Sequence, residues 1–139
     1  MARRRTTISA LPRYADVLTF ESCQGIVLSG FTAEHTEEPG VCAGGVLKFQ
    51  YSSQISVDNC GLFGCGILGV QAESCTDITL RKNEIYECSN GGVQMNNVTG
   101  IVLEENTFRD LGGNNIMLYS CSDVIADGQP LSGQYYNGR

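Results

Sequence analysis

The sequence predicts an all-β chain wound as a three-sided parallel β-solenoid of about five coils, each of 23 residues. Three observations lead there. The chain matches itself at that offset: laying residues 70–85 over residues 93–108 puts every apolar position of the first segment on an apolar position of the second. Within each copy, triplets such as Val93-Gln94-Met95 and Ile101-Val102-Leu103 alternate with period two, the mark of strands with one buried face. Glycine supplies 17 of 139 residues, tryptophan is absent, and the glycines cluster between the triplets, as turn-rich architecture requires.

The elements follow in chain order. Residues 1–16 form a basic N-terminal arm, Arg3, Arg4 and Arg5 included, expected to cap the first coil through Leu11 and Tyr14. The solenoid occupies residues 17–131. Its first copy starts at Leu18, 29 residues before Leu47, so Phe20, Cys23, Ile26, Leu28 and Ala33 match Phe49, Ser52, Ile55, Val57 and Leu62. The six extra residues fall within 34–41. The regular step then carries Leu47 to Val70, Val93 and Ile116; Ile55 to Ile78, Ile101 and Val124; and Leu62 to Ile85, Phe108 and Leu131. Residues 132–139 are a tail or a thin cap. Three short strands per coil, stacked about 4.8 Å apart, bury an apolar face that one coil alone cannot cover.

A leucine-rich repeat is the rival architecture. Cys75-x-x-Ile78-x-Leu80-x-x-Asn83-x-Ile85 fits that consensus, and the period lies within its range. The remainder of the repeat decides against it. Gly91-Gly92 followed by another alternating triplet suits a strand, where a leucine-rich repeat needs helical structure.

The Ile-x-Leu-x-x-Asn-x-Ile pattern, with its Gly-rich loops, resembles the right-handed parallel β-helix repeats of the pectate-lyase-like superfamily, over residues 17–131. The resemblance implies an asparagine ladder at the turn between second and third strands, with Asn83 and Asn106 on it and Phe31, Cys60 and Gln129 at the same rung elsewhere. It also implies a substrate groove along the outer face of the first strand, walled by the loop after the third. Members include polysaccharide lyases, glycoside hydrolases, phage fibres and adhesins.

Seven cysteines invite a disulfide or metal reading. Cys42, Cys65 and Cys88 align on consecutive coils, and Cys23, Cys75 and Cys121 on alternate ones. Parallel stacking leaves Cβ atoms about 4.8 Å apart, beyond the roughly 3.8 Å a disulfide prefers. The outer members of a three-coil column are nearly 10 Å apart, too far for one tetrahedral zinc with His35. All seven are expected to be reduced thiols acting as small hydrophobes.

On the outer face of the first strand lie Glu21, Lys48, Gln50, Gln71, Glu73, Gln94, Asn96, Met117 and Tyr119. Amides and carboxylates hydrogen-bond sugar hydroxyls, and a Tyr ring covers a sugar face. Glu21, Gln50, Gln71, Gln94, Asn96 and Tyr119 are the expected substrate-binding set, and a plain solvated sheet face is the alternative. The insertion loop carries the single histidine, His35, and with Glu37 and Glu38 supplies the chemistry of a general base and a Ca²⁺ site. Lys48, Glu73 and His35 are the expected catalytic residues, if catalysis occurs, with Ca²⁺ the one cofactor in view. Glu21 and Glu73, two coils apart, stand about 10 Å from each other, somewhat beyond the span inverting glycosidases use.

Composition narrows the partners. From Tyr14 onward there are five basic and fifteen acidic residues, so no basic face for nucleic acid exists. No run approaches the roughly 20 apolar residues of a membrane span. No signal peptide is visible, which points to the cytoplasm by default, or to a segment of an exported parent protein. Two functions stand: a carbohydrate-related module, polysaccharide-binding or a degenerate lyase or hydrolase; or a non-catalytic structural or adhesin-like solenoid. Terminal coils expose core and edges, so end-to-end self-association or flanking coils are expected.

Overall fold

The computed structural model describes residues 6–10, 15–35, 44–63, 67–130 and 135–136. Strand β1 (Thr6–Ala10) precedes a first coil of β2 (Leu18–Glu21), β3 (Gln24–Ser29) and β4 (Phe31–His35). The second coil holds β5 (Leu47–Gln50), β6 (Ser53–Asp58) and β7 (Gly61–Phe63). The third holds β8 (Leu68–Glu73), β9 (Thr76–Arg81) and β10 (Glu84–Tyr86). The fourth holds β11 (Gly91–Asn96), β12 (Thr99–Glu104) and β13 (Thr107–Arg109). Strands β14 (Ile116–Tyr119) and β15 (Ser122–Ala126) open a fifth, and β16 (Gln129–Pro130) and β17 (Tyr135–Tyr136) end the described chain. No helix interrupts the described strands, which removes the leucine-rich alternative.

Three parallel sheets form the walls. The first-strand sheet runs β2-β5-β8-β11-β14, the second-strand sheet β3-β6-β9-β12-β15, and the third-strand sheet β1-β4-β7-β10-β13. The register is the one the repeat dictates: Leu18, Leu47, Val70, Val93 and Ile116 are successive partners, as are Ile26, Ile55, Ile78, Ile101 and Val124. Inward columns make one continuous core, in which Leu47, Phe49, Val57, Leu62, Ile78, Leu80 and Met95 have no exposed surface. Phe20 stacks on Phe49 with ring centroids 5.4 Å apart.

The corners stack as regularly as the strands. After each first strand one residue turns left-handed: Ser22, Tyr51, Ser74, Asn97 and Ser120, with φ from 51° to 58°. Such a backbone costs an L-residue about 1–2 kcal/mol. In the first four coils it is held because the turn amide donates to the next coil: Ser22 to Gln50 O at 2.9 Å, Tyr51 to Glu73 O at 3.0 Å, Ser74 to Asn96 O and Asn97 to Tyr119 O, both at 2.9 Å.

At the corner between second and third strands the asparagine ladder is present over two rungs. Asn83 Nδ2 donates to Val57 O at 2.9 Å and to Asn106 Oδ1 at 3.1 Å, while Asn83 Oδ1 accepts from the Cys60 amide at 2.9 Å. Asn106 Nδ2 reaches Leu80 O at 2.8 Å, repeating the same bond one coil on. Both amides are buried, and each satisfies backbone groups that would otherwise be orphaned.

Each described cysteine uses one local device. The thiols of Cys23, Cys60, Cys75, Cys88 and Cys121 donate to the carbonyl two residues earlier, at 3.3 to 3.5 Å, across a left-handed residue. Ser52 does the same to Gln50 O at 2.9 Å. Cysteine and serine therefore exchange on this column because either closes the corner. All five are free thiols. The Cys42 and Cys65 members of the consecutive column lie outside the described residues.

Size is balanced inside each coil. A Cβ on Gly69 would stand 2.5 Å from Ile85 Cγ2, and one on Gly92 would stand 2.7 Å from Phe108 Cδ1 and 2.5 Å from Asn115 O. The two glycines leave room for Ile85 and Phe108; the second coil carries Val46 at the equivalent position, beside Leu62, both without exposed surface.

Both ends depart from expectation. The arm contributes strand β1, whose Ile8 pairs with Ala33 and extends the third-strand sheet; Leu11 and Tyr14 lie outside the described residues. At the other end the fifth coil does not proceed to a third strand among the described residues. Asp127 and Gly128, both at positive φ, reverse the chain so that β16 pairs antiparallel with β15 and Gln129 sits beside Ala126 instead of on the asparagine rung. Asp-Gly is a favoured hairpin turn, and it overrides the repeat here. Leu131 lies outside the described residues. Strand β17 likewise pairs antiparallel with β14.

Candidate functional site

The outer face of the first-strand sheet presents two columns in register. One is Thr19, Lys48, Gln71, Gln94 and Met117; the other is Glu21, Gln50, Glu73, Asn96 and Tyr119. The strand alternation that buries Leu47, Phe49, Val70 and Ala72 turns these residues outward. Lys48, Gln50, Gln71, Glu73 and Gln94 are half-buried by their neighbours, and Glu21 and Asn96 are exposed. None of these seven side chains is engaged in a hydrogen bond or ion pair with another described residue. Tyr119 ends its column and has a partner of its own.

The structure brings the six expected binding residues onto one face, with Lys48 and Glu73 of the expected catalytic set on the same face and His35 elsewhere. Glu21 and Glu73 share a column with Gln50 between them, and Lys48 belongs to the neighbouring column between Thr19 and Gln71. Met117, on the outer face as the alternation predicts, is only 7% exposed. Its Cε lies over the bare backbone of Gly91, where a Cβ would stand 2.6 Å away.

His35 closes β4 and points into the fold at 4% exposure. Its Nε2 lies 2.7 Å from Gly45 O, and since a carbonyl only accepts, Nε2 carries the proton. Gly45 also donates to Asp16 Oδ1 at 2.8 Å, and its carbonyl accepts from the Val17 amide at 3.3 Å. His35 thus ties the end of the third strand to the start of the next coil, away from the outer stripe. Glu37 and Glu38, the expected Ca²⁺ ligands, lie outside the described residues. Among the described residues no group of three or more His, Cys, Asp or Glu is placed to hold a metal.

A second outer stripe, on the third-strand sheet, went unread in the sequence. Ser9, Glu34, Phe63, Tyr86 and Arg109 are successive partners across β1, β4, β7, β10 and β13. Phe63 stacks on Tyr86 at 4.5 Å between centroids, and the Arg109 guanidinium covers the other face of Tyr86 at 3.9 Å. Arg109 also bonds Glu84 Oε1 from Nε at 2.9 Å and from Nη2 at 2.7 Å. Burial and the Glu84 charge push the Tyr86 phenol above its ordinary range. Stepping the repeat length from Phe63 would have found this stripe. Both faces of Tyr86 are occupied, so this stripe is closed on itself.

A family model describing the right-handed β-helix region matches residues 13–134. The chain belongs to the right-handed β-helix family. Neither a curated protein nor a solved structure matches it. In this β-helix, polar capacity is spent on the third-strand face and unspent on the first-strand face. Chemically, the open face offers a ladder of amide donors and acceptors at strand spacing, with carboxylates at Glu21 and Glu73 and an ammonium at Lys48. No helix among the described residues is long and apolar enough to cross a membrane.

Proposed function

We propose that this β-helix is a non-catalytic carbohydrate-binding module, which holds an extended polysaccharide along the outer face of the first-strand sheet. The observation that carries the reading is the pair of in-register columns whose Gln50, Gln71, Gln94 and Asn96 amides have no partner in the described fold. An amide offers two donors and an acceptor with two lone pairs, which suits vicinal hydroxyls repeated along a chain. Tyr119 at the end of the ladder supplies an apolar surface for a sugar ring.

Catalysis is the weaker reading of the same face. His35 is buried and bonded to Gly45, so it cannot reach a sugar on the stripe as a base. Glu21 and Glu73, about two strand spacings or 10 Å apart, exceed the roughly 5–9.5 Å that paired glycosidase carboxylates span.

The test is affinity electrophoresis against a panel of neutral and uronate polysaccharides, followed by calorimetry with oligosaccharides of the best binder. The module reading expects saturable binding that Gln71→Ala and Gln94→Ala together weaken by about tenfold or more, each lost hydrogen bond contributing about 1 kcal/mol. Release of reducing sugar or of unsaturated uronate would replace it with an enzyme. No binding across the panel would leave a structural solenoid.

A further inference from the structure

We propose that the N-terminal end of the β-helix is the seat for a second copy of this chain, joined head to head about a two-fold axis. The two ends of the molecule differ. At the C-terminal end the first- and second-strand sheets finish in antiparallel two-residue strands, β17 and β16, the latter containing Pro130. Very short strands and proline blunt an edge against further pairing. At the N-terminal end, β1, β2 and β3 each terminate a sheet and have no strand beyond them among the described residues.

The core reports the same difference. Leu18, Phe20, Leu28 and Phe31 of the first coil keep partial exposure, whereas their partners Leu47, Phe49 and Val57 have none and Cys60 has 1%. On β2, Leu18 and Ser22 donate to Val46 O and Gln50 O, so the intervening Thr19 and Glu21 turn their backbone groups to the open side.

The geometry of the helix selects the occupant. Each coil rises one strand spacing over three strands, so β1, β2 and β3 stand about a third of a spacing above one another. A two-fold axis perpendicular to the solenoid, placed so that β2 lies one spacing from β2 of the second copy, exchanges the other two walls. It then sets β1 one spacing from β3 of the second copy, and β3 one spacing from that copy's β1. All three open edges are matched at once, antiparallel, by a single operation. A register centred on Thr19 places Leu18 beside Phe20 of the second copy, which continues the core, and keeps the two Glu21 carboxylates apart. A head-to-tail arrangement would match only β1, against β13, because among the described residues the first- and second-strand sheets are blunted at the far end by β17 and β16; the head-to-head assembly matches all three edges and closes as a dimer.

Sedimentation equilibrium of the full chain across the micromolar range tests this. The expected result is twice the chain mass, with dissociation on dilution. Thr19→Pro removes an amide that faces the open side and no bond to β5, so it should weaken the dimer by about tenfold or more with little change in circular dichroism. Thr19→Lys sets two ammonium groups opposite each other across the axis; it should weaken the dimer at low salt, with recovery at high salt, even if the proline variant fails to fold. A monomer at every concentration, a filament, or a dimer indifferent to both variants would overturn the proposal. The readout is independent of sugar binding, so the two proposals fail separately.

Discussion

The amide of Glu105 donates to Oδ1 of Asp127 at 2.9 Å. In the three preceding coils the equivalent amides, those of Gly30, Asn59 and Lys82, reach backbone carbonyls of Asp58, Arg81 and Glu104. The last coil has turned away into its hairpin, and a carboxylate stands in for the absent carbonyl. Asp127 therefore completes the corner ladder and starts the cap in one residue. Asp127→Ala should lower unfolding free energy by about 1–2 kcal/mol, and Asp127→Asn, which keeps the acceptor, by clearly less. Thermal unfolding by circular dichroism measures both.

The asparagine ladder should be costlier to break. Asn83→Ala strands the Cys60 amide and the Val57 carbonyl inside the fold. A loss of about 3 kcal/mol or more is expected, two buried groups being left unpaired at about 1–3 kcal/mol each. Asn106→Ala exposes the same weakness one coil later, and urea denaturation would rank the two variants.

Gly69 and Ile85 should prove coupled. Gly69→Ala drives a methyl into Ile85 Cγ2 and should cost about 1–3 kcal/mol. Made in an Ile85→Ala background, the same change should cost less, because the clashing atom is gone. A double-mutant cycle with no interaction energy would contradict the size-compensation account.

Serine at the cysteine corners should be tolerated. Cys75 donates to Glu73 O at 3.3 Å as Ser52 donates to Gln50 O at 2.9 Å. Cys75→Ser should therefore retain most stability, whereas Cys75→Asp, which introduces a buried charge, should not.

Cys88 gives the fold an alkaline limit. Burial first, and the Glu87 charge second, push its thiol from 9.0 up to about 12. Below the ordinary value both native and unfolded thiols hold their proton, and stability is insensitive to this group. As pH rises from about 9 towards 12 the unfolded thiol ionises and the native one does not, so stability falls, by up to about 1.4 kcal/mol per pH unit. Cys88→Val should flatten that slope, and the native thiol should resist alkylation at neutral pH.

Where the repeat speaks, the fold is legible. Period-two alternation at a fixed offset determined the sheets, the inward columns and the outer stripe of Gln50, Gln71, Gln94 and Asn96, because a side chain in a stacked coil meets its own equivalents. What escaped is local or non-periodic. Strand β1 pairs at an offset of 25, seen in Thr6 against Phe31, so it hid from a search at the repeat length. The Asp127-Gly128 turn was visible as a dipeptide, yet the column was carried through it. The role of His35 depends on which way the end of β4 faces, which its sequence neighbours do not reveal. Phe63, Tyr86 and Arg109 were in register all along, but differ too much in chemistry to announce a column.

The proposed binding turns on which face of the β-helix is open for a ligand. Nuclear magnetic resonance of the ¹⁵N-labelled chain, titrated with oligosaccharides from the best-binding polysaccharide, observes the decisive groups themselves. The side-chain amide signals of Gln50, Gln71, Gln94 and Asn96 should shift together and saturably, while the Arg109 Nε signal stays in place. Shifts confined to the Phe63, Tyr86 and Arg109 stripe, with those amides unmoved, would contradict it.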